Sequence, residues 1–220
     1  MVLPTYIIKS PKLPKPLPPK NLANLTDHAE IAACSISSCD LTGQTAIDVF
    51  FEQVHLRHVS FTQTRLNKLR VTDLCAEVCE FSGSNWENPR LRRVEFIGCR
   101  LLGVQWLEVQ CDDVFFKDCI LEGAVLVKTT CNAVRFEKCN LRGVILDESN
   151  LSGVVFSHCD LTNASFRAST LNKTDLCGSI LNGVQANPQD LRGAIIDAAQ
   201  AIQVVGLLGL TVQDSDGRLR

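Results

Sequence analysis

The chain has 220 residues, of which 45% are hydrophobic, and a formal net charge of −2. That size allows one domain or a domain with tails, and the near-neutral balance, with a pI near 6.1, argues against a general nucleic-acid binder, which carries a basic surface. No apolar run approaches the roughly 18 residues needed to span a bilayer, and Met1–Ser10 lacks the charged and apolar blocks of a signal peptide.

Residues 1–24 form a proline-rich extension. The run Ser10-Pro11-Lys12-Leu13-Pro14-Lys15-Pro16-Leu17-Pro18-Pro19-Lys20 cannot be a helix or a central strand and reads as polyproline-type chain. It holds two P-x-x-P spacings, Pro11/Pro14 and Pro16/Pro19, which fit a stiff leader or a ligand for an aromatic groove. Tyr6, Ile7 and Ile8 are positioned to dock on the body.

Residues 25–197 are an internal repeat. From Ile31 to Ile196 every fifth residue is apolar without a slip in phase, thirty-four positions in all, twenty-three of them Leu or Phe. A period of five fits neither the helical repeat of about 3.6 nor the strand repeat of 2. It fits a coil that turns a corner every five residues and buries one side chain per side. With the central apolar residue called i, position i−2 is small or apolar, and i+2 favours glycine, as at Gly43, Gly83, Gly103, Gly123 and Gly143. Glycine at i+2 suits a corner with unusual backbone angles. A second period of twenty lies over the first. Cys79, Cys99, Cys119, Cys139 and Cys159 share i−2, Phe96, Phe116, Phe136 and Phe156 share i, and Trp86 pairs with Trp106. Four pentapeptides therefore make one turn and residue n stacks on n+20. This predicts a four-sided all-β solenoid of about eight coils, on the order of 40 Å long at about 4.8 Å per coil, whose ends need caps.

The units Cys139-Asn140-Leu141-Arg142-Gly143, Ser149-Asn150-Leu151-Ser152-Gly153 and Cys159-Asp160-Leu161-Thr162-Asn163 resemble the pentapeptide-repeat family over about three quarters of the chain. The resemblance implies a right-handed quadrilateral β-helix. It implies little about activity, because the family is functionally diverse.

Residues 198–220 are a short capping helix and tail. Asp197 and Gln200 are spaced as a capping box, Gly209 is placed to end the helix, and Ala201, Ile202, Val205 and Leu208 share one helical face. The tail is similar to the helix through which gyrase-protecting family members dimerise. Its face is a candidate homodimer contact, or else the end cap of a monomer.

No residue set points to catalysis, a cofactor or a metal. His55 and His58 occupy i−1 and i+2, and Cys75 and Cys79 occupy an outward i−1 and an inward i−2, so neither pair shares an ion along the chain. The eleven cysteines read as reduced structural thiols of a cytoplasmic protein, with Cys75 and Cys177, at outward positions, the first to react.

Stacking also sets the charge neighbours. Asp73, Arg93 and Asp113 form one column, and Glu80 with Arg100, Arg92 with Asp112, Glu122 with Arg142, Asp147 with Arg167, and Glu108 with Lys128 and Glu148 form others of alternating sign. Gyrase-protecting relatives imitate DNA with a long acidic face, which alternating columns do not provide. One side departs from the polar rule: Leu107, Val125, Val127 and Ile145 lie outward on adjacent coils as a contiguous apolar patch. The sequence thus reads as a non-enzymatic protein–protein interaction scaffold that binds neither nucleic acid nor membrane and dimerises through the C-terminal helix or the patch. The alternative is a DNA mimic that binds DNA gyrase and modulates quinolone sensitivity.

Overall fold

A side of five residues reverses neither the chain direction nor the inward face, so successive turns meet in parallel with identical register. The computed structural model describes residues 7–208 and 213. Its strands are β1 (Glu30–Ser37), β2 (Thr45–Ile47), β3 (Phe50–Arg57), β4 (Arg65–Asn67), β5 (Arg70–Glu77), β6 (Asn85–Glu87), β7 (Arg90–Ile97), β8 (Gln105–Leu107), β9 (Gln110–Lys117), β10 (Thr130–Glu137) and β11 (Val155–Ser157). They form a seven-stranded parallel sheet in the order β1-β3-β5-β7-β9-β10-β11 and a four-stranded one in the order β2-β4-β6-β8. Every pairing joins n to n+20, from Glu30↔Phe50 to Arg135↔Val155. From Asp40↔Ser60 up to Asp175↔Ile195 the isolated bridges carry the same register, and a further bridge, Pro19↔Ser35, joins the proline-rich segment to β1. The chain is a parallel β-solenoid.

Each eight-residue strand spans two sides. In β5, Val71 and Ala76 are both buried, and Asp73, between them, bends the strand at φ 56°. The i+2 corner adopts positive φ from Ala33 to Gly183 and again at Gly193, with glycine at Gly43, Gly83, Gly103 and Gly123; Pro188, whose ring fixes φ, is the exception. Most corners carry other residues, many of them Asp, Asn, His or Lys. Asn and Asp tolerate this region because their short polar side chains bond locally. Val78 does not fit that logic: it is β-branched, at φ 52°, and 54% exposed. Left-handed geometry costs an L-residue about 1–2 kcal/mol. Val78→Gly is therefore expected to stabilise the fold by about 1 kcal/mol, read as a higher urea midpoint at unchanged m-value. A lower midpoint would show that the valine side chain contributes more than its backbone costs.

The core is one continuous column. All i residues from Ile31 to Leu181 are buried. The last three, Ala186, Leu191 and Ile196, are only half-buried, which corrects the expectation of full burial to the end. They sit at the top of the stack, where no further coil covers them and the C-terminal helix is the lid. Phe96, Phe116, Phe136 and Phe156 stack face to face at centroid spacings of 4.8, 4.7 and 5.0 Å, and Trp86 lies 4.4 Å from Trp106. Stacking at the coil spacing packs most of the interior, leaving a small apolar cavity of about 20 Å³ lined by residues that include Phe61, Phe81, Trp86 and Phe96. The indole N–H of Trp86 donates to Thr64 Oγ1 at 3.2 Å and that of Trp106 to Ser84 Oγ at 3.0 Å. The cysteine column behaves likewise, because Cys99, Cys119, Cys139 and Cys159 donate to the carbonyls of Ala76, Phe96, Phe116 and Phe136. Ser149, Ser169 and Ser179 make the same bond. In these columns an i−2 residue is small and donates to a carbonyl of the coil below, whereas Val54, Val94 and Val114 fill the same position on another side with a buried apolar side chain.

Helix α1 (Ala198–Val205) closes the far end. Asp197 caps it in a complete capping box with Gln200. Gln200 is buried and its Nε2 donates to the carbonyls of Leu176 at 2.6 Å and Ser179 at 2.7 Å. One side chain therefore satisfies the helix start and two carbonyls that lack a next coil. The C-cap is Gly206, three residues earlier than the sequence placed it; Gly209 lies outside the described residues. At the near end, Leu25 is buried and Leu22 packs beside it. Among the described residues no helix is long and apolar enough to cross a membrane.

Candidate interaction surface

The side built on Ala46, Leu66, Trp86, Trp106, Leu126 and Leu146 presents the outward apolar patch. Leu107 ends β8, and its register partner Glu87 ends β6. Bridges join Gln105 to Val125 and Val125 to Ile145. Leu107 and Ile145 are each 37% exposed, whereas Val125 and Val127 are half-buried. The structure thus brings the four sequence-selected residues together on adjacent coils. Ile47, 47% exposed, adds a further apolar residue on this side, at the i+1 position of an earlier coil.

The second candidate surface is α1. Its body-facing residues are Gln200 and Val204, and Leu207 in the 3-10 turn that follows (Gly206–Leu208) packs on the core beside them. Ile202 is 45% exposed, and Ala201 and Val205 are half-buried. The face carrying Ala201, Ile202 and Val205 is therefore not the face that seals the coil. The side chain of Leu208 lies outside the described residues.

The side built on Ile36, Leu56, Ala76, Phe96, Phe116 and Phe136 carries the proline-rich segment. Lys9 N–H donates to Asp113 Oδ1 at 3.1 Å, and Lys12 N–H donates to Asp73 Oδ1 at 2.8 Å. Lower down, Ser35 N–H donates to Pro18 O at 2.9 Å and Lys20 N–H to Ser35 O at 2.8 Å. The segment is a docked strap running down the solenoid, not a free leader. Lys9 to Lys12 is three residues, about 9.3 Å of polyproline helix, and Asp113 to Asp73 is two coils, about 9.6 Å. This match lets both amides reach their carboxylates. Ile8, Pro11, Leu13 and Leu17 are half-buried; Tyr6 lies outside the described residues.

The strap corrects the reading of Cys75. An i−1 residue points outward, yet Cys75 is buried because this side is covered. Burial, with Glu95 and Glu77 nearby, pushes its thiol up to about 12. Cys177 remains half-exposed, and burial together with Asp175 pushes it up to about 11. All eleven cysteines are free thiols, nine of them buried.

The charge columns pair in part as the stacking predicts. Arg93 grips Asp73 with Nε at 2.5 Å and Nη2 at 2.6 Å, and Arg100 reaches Glu80 at 3.2 Å. Other partners are offset from the stacking register: Arg142 bonds Asp160 diagonally on the same side at 3.1 Å rather than Glu122, and Arg70 bonds Asp48 across a corner at 3.0 Å. Asp112 accepts from Asn132, and Arg167 gives Asp147 its backbone N–H while its side chain goes to Gln185. Burial alone pushes the Asp73 carboxyl up, but the Arg93 bonds and the Lys12 amide outweigh it, so its pKa lies below the ordinary value.

One cluster was missed in reading along the chain. His55, Cys75 and Glu77 bring their ligand atoms within 4.8 Å of one another. The signal was present, since n+20 stacking puts Cys75 directly over His55.

Comparison with known proteins settles the family. The model of the pentapeptide repeat region matches residues 89–156. That of pentapeptide repeats, eight copies, matches 34–68 and 145–183. The chain belongs to the pentapeptide-repeat family. No curated protein matches this pentapeptide-repeat chain. Among solved structures it is similar to HetL, a pentapeptide repeat protein involved in heterocyst differentiation regulation from the cyanobacterium Nostoc sp. strain PCC 7120. The identity is 19% over 82% of this chain and 92% of that one, with a TM-score of 0.41. It is similar to QnrB1, a plasmid-mediated fluoroquinolone resistance protein, at 16% identity over 86% of this chain and 100% of that one, with a TM-score of 0.31. It is also similar to Rfr23 from the cyanobacterium Cyanothece 51142, at 18% identity over 60% and 88%, with a TM-score of 0.33.

Proposed function

We propose that this protein is a non-catalytic interaction scaffold of the cytoplasm that associates with a second copy of itself through apolar contacts. The observation that carries this reading is the contiguity of Leu107, Val125, Val127 and Ile145 on adjacent coils, with Leu107 and Ile145 exposed. Ile202 on the outer face of α1 is the competing contact. Eleven free thiols fit a reducing compartment. DNA mimicry is disfavoured, because ion pairs between coils, such as Arg93–Asp73 and Arg100–Glu80, leave the face without the extended uniform field that such binding uses.

Light scattering on the full chain is expected to give a dimer mass. Either Val125→Glu with Ile145→Glu, or Ile202→Asp with Val205→Asp, is expected to convert it to monomer. A monomeric parent, or a mass that neither pair changes, removes the self-association claim. Stoichiometric inhibition of gyrase supercoiling at physiological salt would replace the scaffold reading with the DNA-mimic one.

A further inference from the structure

We propose that His55, Cys75 and Glu77 form a binding site for one divalent ion of the zinc class. The site follows from the register. β3 and β5 pair His55 with Cys75 and Arg57 with Glu77. Cys75 and Glu77 are two residues apart on one strand and so project to the same side, while His55 lies one coil below, about 4.8 Å away. Imidazole, thiol and carboxylate converge on one point without any change of backbone.

The His55–Glu77 distance suits an ion better than a hydrogen bond, and all three ligand atoms lie within 4.8 Å of one another. Zinc holds nitrogen and oxygen ligands at about 2.0–2.2 Å and sulfur at about 2.3 Å in a tetrahedron, so ligand atoms lie about 3.3–3.8 Å apart. His55 Nε2 is 3.5 Å from Glu77 Oε2, inside that interval and beyond the range of a charge-assisted hydrogen bond. The same Nε2 is sheltered from solvent and has no hydrogen-bond partner, which leaves it either a desolvated orphan or a ligand. Cys75 is buried beside it as a free thiol.

Donor chemistry sets the ion. A thiolate with an imidazole selects zinc and similar borderline metals over magnesium or calcium, which take oxygen ligands. Three protein ligands leave one coordination position for water or an exogenous group. Binding sends the Cys75 thiol proton to solvent and displaces Arg57, whose Nε is 3.9 Å from Glu77 and whose side chain is 61% exposed. An exposed pair of that kind is a weak competitor.

The test is titration of the full, chelator-treated chain with Co²⁺ under reducing conditions. The expected result is one equivalent bound, with a thiolate-to-cobalt charge-transfer band that Zn²⁺ abolishes by displacement. Cys75→Ser should remove the band, and Cys177→Ser should leave it unchanged. His55→Gln and Glu77→Gln, both at partly exposed positions outside the core, should each weaken binding at least tenfold while the circular dichroism spectrum stays that of the parent. At a fixed Zn²⁺ concentration the parent's melting temperature should rise by more than that of Glu77→Gln, because a native-state ligand stabilises in proportion to the logarithm of its affinity. A parent without the band, a band that follows Cys177, or affinity unaltered in His55→Gln and Glu77→Gln would overturn the site.

Discussion

Leu141→Lys is expected to abolish the cooperative fold. Leu141 is 0% exposed in the middle of the stack. The substitution removes a fully buried side chain, with a cost of about 2–5 kcal/mol for the lost packing, and places an ammonium among apolar neighbours where no carboxylate reaches it. The whole fold is stabilised by about 5–15 kcal/mol, so a loss of more than about 4 kcal/mol leaves little margin. Each coil touches only its neighbours, so the damage severs the column. Leu191→Lys, at a half-buried position under α1, should cost far less because its amine can reach water. Urea unfolding followed by circular dichroism measures both. A loss below about 1 kcal/mol for Leu141→Lys would mean that the interior is not continuous there.

The second large effect belongs to Asp73. Asp73 is 4% exposed, and its carboxylate takes two bonds from Arg93 and accepts the Lys12 amide of the strap. Asp73→Asn keeps a residue suited to φ 56° but leaves the Arg93 side chain, 12% exposed, without its bonded counter-charge. Removing one partner of a buried pair costs about 3–5 kcal/mol. The strap should loosen as well, seen as faster tryptic cleavage after Lys12. The pH dependence has a definite sign. The folded-state pKa of Asp73 is lowered, so its contribution is complete above the unfolded value of about 3.9 and is lost as pH falls through the folded value. Asp40, Asp48, Asp160 and Asp197 are lowered too, so the parent destabilises on acidification through several groups. The difference between parent and Asp73→Asn isolates one of them and should shrink below about pH 4. A difference that is constant with pH would show that the substitution acts through packing rather than charge.

How much was legible can be judged residue by residue. Periods of five and twenty gave the solenoid, its register and its core from Ile31 onward, because in a stacked coil one inward side chain per side is a geometric necessity. The Asp197–Gln200 capping box and the Leu107/Val125/Val127/Ile145 patch followed from local spacing and from n+20 adjacency. Three things required the tertiary structure. The burial of Cys75 depends on a strap from residues 7–20, whose proline-rich composition dictates extension but not where it lies; Asp73 and Asp113, far along the chain, fix that. The partners of Arg142 and Arg70 are offset from the stacking register, one diagonally on a side and one across a corner, since a long side chain chooses among acceptors within reach and stacking alone does not rank them. The His55, Cys75 and Glu77 cluster depends on rotamers that bring three ligand atoms together, and a register places Cα atoms, not side-chain tips. The sequence by itself therefore determined the coil, because every residue in it answers to its own neighbours one turn away. Its outer surface was decided by the fold, because long-range docking of a segment outside the repeat obeys no period.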